Sequence, residues 1–257
     1  MKKLLALVLT LCMLLCFAGC GDSDKSDLEY IQDKGTLVVG ITEFAPMDYK
    51  EGDKWVGFDA ELATLFADEI DCNVQFVEID WDNKVFELDG KSIDCVWNGM
   101  TLTDEVMAAM ETSVAYCNNA QVVVVKADVA DKYQTAEACK DLKFAVESGS
   151  AGQDMAEAND FEFVEVKDQA TALMEVASGT SDAAIIDSLM AAATVGEGTG
   201  YEQLTYTAAL NSEKYGVGFR KGSDAAKELN EFFADCKEDG TLQKIAEKYK
   251  VQAALIK

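Results

Sequence analysis

The chain has 257 residues, with 47 Asp plus Glu against 22 Lys plus Arg for a net charge of −25, eight cysteines, one proline and no histidine. This acidic balance argues against nucleic acid and against adhesion to anionic lipid, and the lack of histidine and of any Cys-x-x-Cys spacing argues against the usual metal sites. The length suits one large or two modest domains with real cores.

At the N-terminus, Met1-Lys2-Lys3, an apolar run from Leu4 to Phe17 and then Ala18-Gly19-Cys20 form the basic, greasy and small-residue parts of a secretory signal over residues 1–19. The run is shorter than the ~20 residues of a spanning helix, and a very polar segment, Gly21 to Asp27, follows at once. Ala18-Gly19-Cys20 resembles a bacterial lipobox, in which cleavage leaves Cys20 as the first residue, carrying lipid. Acyl chains on Cys20 then tether the protein to the cell membrane without a spanning helix. Loss of Lys2 and Lys3 takes the mature charge to about −27. Cys12 and Cys16 leave with the signal, so five other thiols remain, Cys72, Cys95, Cys117, Cys139 and Cys236, and an odd set cannot all pair. A disulfide among them stays open, while Cys95, in an apolar strand, reads as a small buried hydrophobe.

After a linker over residues 20–34, short β-rich runs alternate with helical patterns, the signature of an α/β fold with mostly parallel sheets and helices on both faces. Thr36 to Ile41 reads as a buried strand, and a loop holding Glu43, Phe44, Pro46 and Tyr49 leads to an amphipathic helix, Phe58 to Ile70. Val74 to Ile79 alternates as a strand, Trp81-Asp82-Asn83 opens a helix, and an apolar strand from Ile93 to Trp97 runs into Asn98-Gly99-Met100-Thr101. Thr103 caps the next helix with Asp104 and Glu105 in its first turn. Ala120 to Lys126 is a Val-rich strand. A second block repeats the cycle: strand Lys143 to Val146, turn Glu147 to Gly152, strand Phe161 to Val166, helix Asp168 to Ser178 and an apolar strand ending at Asp187. The segment Tyr215 to Arg220 and two helices, Asp224 to Glu238 and Thr241 to Lys250, close the chain. Two α/β lobes thus present polar groups at strand carboxyl ends, where open sheets bind ligands.

The motifs Leu37-Val-Val-Gly40, Phe44-Ala-Pro46, Gly57-Phe58-Asp59-Ala-Glu-Leu62, Asp80-Trp81-Asp82, Asp94 to Thr103, Glu147 to Ser150, Asp182 to Asp187, Tyr215 to Gly222 and Asp239-Gly240-Thr241 carry a resemblance. Their order and spacing resemble a family 3 extracellular solute-binding protein, the substrate-capturing lipoprotein of a polar amino-acid ABC importer. That resemblance implies a periplasmic-binding-protein-like fold of two lobes closing on a ligand and joined by two crossing strands, near Gln121 to Lys126 and Lys214 to Phe219. Lobe one then covers residues 35–122 and 217–257, and lobe two covers 123–216.

It also implies a site and partners. Phe44 and Trp81 supply aromatic walls, Asn98, Gly99 and Thr101 the groups of lobe one, Ser150, Ala151 and Gly152 a turn of lobe two, and Asp187 the carboxylate that takes an α-amino group. Asp187 can equally cap the helix at Ser188, Trp81 can staple the helix after it, and Phe44 can be loop packing. Where the family has an arginine for the ligand carboxylate, this chain has Val106, and its only arginine is Arg220. The expected partners are a small amino acid or related amine and ABC permease subunits, with no cofactor and an extracytoplasmic location. A ligand-sensing module for a membrane receptor is the alternative, and a dehydratase-like enzyme on the same fold is a further one. The usual catalytic constellations are absent from the sequence.

Overall fold

A computed structural model describes residues 25–257; the expected signal segment and Cys20 lie outside them. The first strands in chain order are β1 (Thr36–Ile41), β2 (Tyr49–Glu51), β3 (Lys54–Val56), β4 (Asn73–Glu78), β5 (Cys95–Thr101), β6 (Glu111–Thr112) and β7 (Cys117–Asn119). Then come β8 (Gln121–Lys126), β9 (Lys143–Glu147), β10 (Glu162–Val166), β11 (Ala183–Asp187), β12 (Leu204–Ala209) and β13 (Glu213–Phe219). One sheet has the order β4-β1-β5-β13-β6 with β7 on β13, the other β10-β9-β11-β8-β12, and β2 and β3 form a separate hairpin.

Each large sheet is mixed. β1 pairs parallel with β4 and β5, and β9 with β10 and β11, whereas β13 and β8 run antiparallel to their neighbours. The central strands β5, β8 and β11 are buried on both faces because both faces are covered. In β5, Cys95 and Trp97 join one core while Val96 and Met100 join another on the opposite side. In β8, Val122 and Val124 point one way and Val123 and Val125 the other. Trp97 is fully buried, with Phe66 of helix Phe58–Glu69 and Phe233 of helix Ala225–Glu238 at ring centroid distances of 6.2 and 5.6 Å. Helix Ala225–Glu238, next to last in the chain, thus returns to the first lobe.

Several expectations shift. Part of the expected linker over 20–34 is a helix, Asp27–Lys34, started by a capping box between Ser26 and Glu29 and stopped by Gly35 in the left-handed region. It docks Ile31 in the core, and Arg220 Nε donates to Asp27 at 2.7 Å. The sheets divide the chain at Ala120 and at residues 210–212, rather than at 122/123 and 216/217. Gln121 to Lys126 is a full strand of lobe two, and Lys214 to Phe219 lies between β5 and β6 of lobe one, so the crossings are short connectors. All five described cysteines are free and buried, so none forms a disulfide. Among the described residues, no helix is long and apolar enough to cross a membrane.

Candidate functional site

A cavity of about 430 Å³ lies between the lobes, a size typical of small-molecule sites. Phe44, Trp81, Asn98, Gly99, Thr101 and Val106 line it from lobe one. From lobe two come Gln121, Glu147, Ser150, Ala151, Gln169 and Asp187. Eight of the nine expected site residues therefore meet at one cavity. Gly152 does not: it is buried under the turn, where an added Cβ would lie 3.0 Å from the carbonyl of Ile185.

The lobe-one residues are held differently from expectation. Asn98 Oδ1 accepts from Thr42 N at 3.0 Å and Thr42 Oγ1 at 2.8 Å, while its Nδ2 donates to Thr42 O at 3.1 Å and Asp48 Oδ2 at 2.7 Å. Its amide is therefore spent on tying β5 to the loop after β1. Gly99 has φ +56°, and a Cβ there would meet Phe44 Cε1 at 2.4 Å, so the glycine admits the Phe44 ring rather than a guest. Its N–H donates to Asp59 Oδ2 at 2.7 Å, beside the Tyr116 hydroxyl at 2.8 Å. Burial pushes Asp59 up to about 7, against those hydrogen bonds, and burial together with the Asp59 charge raises neighbouring Asp48 well above the ordinary range. Thr101 Oγ1 donates to Glu213 Oε1 at 2.9 Å. Glu43, whose Oε1 accepts from Lys50 N at 3.3 Å, lies off the cavity.

In lobe two, Ser150 caps helix Ala151–Ala158 by accepting from Gln153 N, and Gly149 at φ +68° lies so close to lobe one that a Cβ would sit 2.7 Å from Asp82 Cα. Lys84 Nζ crosses the cleft to donate to Gly149 O at 2.9 Å and also donates to Trp81 O at 3.2 Å. Lys167 adds a second bond across the lobes, to Glu78. The lobes are closed on each other.

Asp187 occupies the N-cap position of helix Ser188–Thr194 but makes no side-chain cap bond. Its carboxylate turns inward instead. Oδ1 accepts from Tyr215 OH at 2.5 Å, from Gln121 Nε2 at 3.0 Å and from Asn119 Nδ2, and Oδ2 accepts from Gln169 Nε2. Burial and then the charge of Glu213 push it up to about 7, against the bonds from Tyr215 and Gln169. Glu213 Oε1 shares the donors of Asn119 and Gln121, at 2.6 and 2.9 Å, so two carboxyls face each other at the crossings. Arg220 lies elsewhere, donating to Asp27, Asp94 and Ile93 O. Among the described residues no cluster of His, Cys, Asp and Glu is arranged to hold a metal ion.

Gln121, Gln169, Glu213 and Tyr215 are not among the expected site residues, although Gln121 and Tyr215 lie in the expected crossings and Gln169 follows the N-cap Asp168. Gln121, Gln169 and Glu213 each open an element, which is the signal the sequence offers for them.

The chain belongs to the bacterial extracellular solute-binding proteins, family 3, whose family model matches residues 37–252. It is similar to the arginine-binding extracellular protein ArtP of Bacillus subtilis, 27% identical with 97% of this chain and 98% of that protein covered. It is also similar to the L-cystine-binding protein TcyJ of Escherichia coli, 30% identical over 88% of this chain and 87% of that one. Among solved structures, an ABC uptake transporter substrate-binding protein of Streptococcus pneumoniae with bound histidine superposes with a TM-score of 0.84 at 27% identity, over 91% of this chain and all of that one. These relatives are binding proteins.

Proposed function

We propose that the protein captures an amino acid or related small amine between its lobes and delivers it to the permease of an ABC importer, as an extracytoplasmic protein tethered through lipid on Cys20. The observation that carries this reading is the cavity: both lobes line it, and it holds a buried carboxylate, Asp187, that is not spent on capping a helix. In this role Trp81 and Phe44 wall the ligand, Ala151 offers a helix-start N–H, and Asp187 meets an ammonium. Asn98, Gly99 and Thr101 shape the wall, since their polar groups are already paired within the protein. A ligand touching both lobes favours the closed state by its differential affinity for it. Binding without turnover separates this role from an enzyme on the same fold.

Calorimetry of the purified protein against the twenty L-amino acids, with chemical analysis of each bound ligand afterwards, tests the proposal. At least one is expected to bind and return unchanged. Failure of all, or conversion of the bound compound, overturns it.

A further inference from the structure

The polar atoms left without partners in the cavity walls are acceptors. Glu147 is 3% exposed at the carboxyl end of β9, and its Oε1 has no hydrogen-bond partner; its Oε2 has only the Nε2 of Gln169, at 3.5 Å. Gln121, 1% exposed, donates through Nε2 to both Asp187 and Glu213, which leaves its Oε1 unpaired as well. Buried acceptors of this kind carry a large desolvation cost until a donor arrives.

The charge around them points the same way. Six carboxylic side chains line the cavity, Asp82, Glu105, Glu147, Asp154, Glu165 and Asp187, against one cation, Lys84. The Lys84 ammonium is engaged by two carbonyls and lies beyond ion-pair distance of any carboxylate among the described residues. A zwitterion of zero net charge, its ammonium on Asp187, leaves Oε1 of Glu147 and Oε1 of Gln121 without a donor.

Resting on the amino-acid or amine reading above, we propose that Glu147 is a second cation subsite, so that the ligand carries net positive charge: one nitrogen cation meets Asp187 and another, an ammonium or guanidinium with at least two N–H donors, meets Glu147 and the free oxygen of Gln121. The groups facing Glu147 are Asp187 on β11, Asp168 and Gln169 at the start of helix Gln169–Ser178, and Lys84 from the opposite lobe. Burial, then the Asp187 charge, push Glu147 up to about 8. In the empty cavity at pH 7 the carboxyl therefore holds a proton, which an arriving cation displaces to solvent.

The test is titration calorimetry of the purified protein with L-arginine, agmatine, which lacks the carboxylate, and L-citrulline, a zwitterion whose ureido side chain carries no charge. We expect arginine or agmatine to bind at least tenfold tighter than citrulline, to release about one proton or more at pH 7 across buffers of different ionisation heat, since Glu147 and Asp187 both give up protons, and to gain affinity from pH 6 to 9. Glu147→Gln is expected to reduce the preference at least fivefold and to reduce the proton release, leaving the part that Asp187, at about 7, gives up. Preference for citrulline or another neutral amino acid, no proton release by the parent, or an unchanged preference in Glu147→Gln overturns the subsite while leaving the amino-acid reading intact. If neither these probes nor any common amino acid binds, both readings fall. The parent's proton release needs no variant, so misfolding of Glu147→Gln does not shield the proposal.

Discussion

Lys84 and Gly149 join the two lobes directly, the ammonium of the first donating to the carbonyl of the second over 2.9 Å. The bond exists only when the cleft is shut, so it biases the closed state whatever the cavity holds. A hydrogen bond from a charged donor contributes ~1.5–3 kcal/mol, less where water competes. Lys84→Met is expected to open the ligand-free protein, read as a larger radius of gyration in small-angle scattering. Gly149→Ala should open it further, because its Cβ meets the Asp82 backbone at a residue with φ +68°. Unchanged scattering in both variants contradicts the closing role.

Trp81 and Asp187 approach the cavity from opposite lobes. Trp81→Ala removes an aromatic wall and is expected to weaken the tightest-binding amino acid or amine about tenfold, equivalent to ~1.4 kcal/mol. Asp187→Asn removes the charge and turns an amide NH₂ toward Gln169, with a loss of about a hundredfold expected. Calorimetry on both variants decides: parent-like affinity in the two together places the ligand elsewhere.

Asp59 makes stability depend on pH in the less familiar direction. Its folded value of about 7 lies above the ordinary 3.8, so the folded chain binds more protons between those values. Its contribution is complete below pH 4 and is lost as pH rises through 7, and Asp48 shifts the same way. Asn at position 59 can still accept from Gly99 and Tyr116 through its oxygen while removing the buried charge. Urea unfolding at pH 5 and pH 8 should show the parent weakening at pH 8 and Asp59→Asn weakening less. Equal pH dependence in the two proteins rules this out.

Asp94 is fully buried and accepts from Arg220 Nη2 at 3.0 Å, from Lys34 Nζ at 2.5 Å and from Val38 N at 2.8 Å. Through Arg220 and Asp27 it ties the first helix to the sheet. Asp94→Ala leaves a largely buried guanidinium short of a partner and should destabilise the protein by ~3–5 kcal/mol. Chemical denaturation measures this; a loss under ~1 kcal/mol shows the network to be dispensable.

On the proposal that lipid on Cys20 tethers the protein, Cys20→Ser should abolish membrane association and leave the protein in the soluble fraction. Intact mass of the native protein is expected to show a lipid-modified chain beginning at Cys20. A native protein that retains Met1 contradicts the anchor.

Periodicity and element ends made much of this fold legible. The four consecutive valines of 122–125 and the apolar run before Trp97 are buried on two faces, which forces them into sheet centres. The helix Asp27–Lys34 carried its own start and stop signals in Ser26-x-x-Glu29 and Gly35, yet its polar composition masked it, because one residue, Ile31, supplies its buried contact. The site was half legible. Asp187 and Trp81 stand at strand and helix boundaries, where sequence points to a cleft. That Asn98 and Thr101 spend their polar groups on Thr42, Asp48 and Glu213 depends on partners up to 112 residues away, beyond what local pattern carries.

The two crossings also impose an order of assembly during synthesis. The second sheet is built from one continuous stretch, Gln121 to Ala209, and has all its strands once that stretch has emerged. The first sheet must wait for β13, which slots between β5 and β6, and for helix Ala225–Glu238, which covers Trp97. Such distant pairings form slowly, since the long intervening loop must close first. The lobe that is begun first is thus finished last, and a chain halted before Glu213 carries one completed lobe beside another whose core stands open.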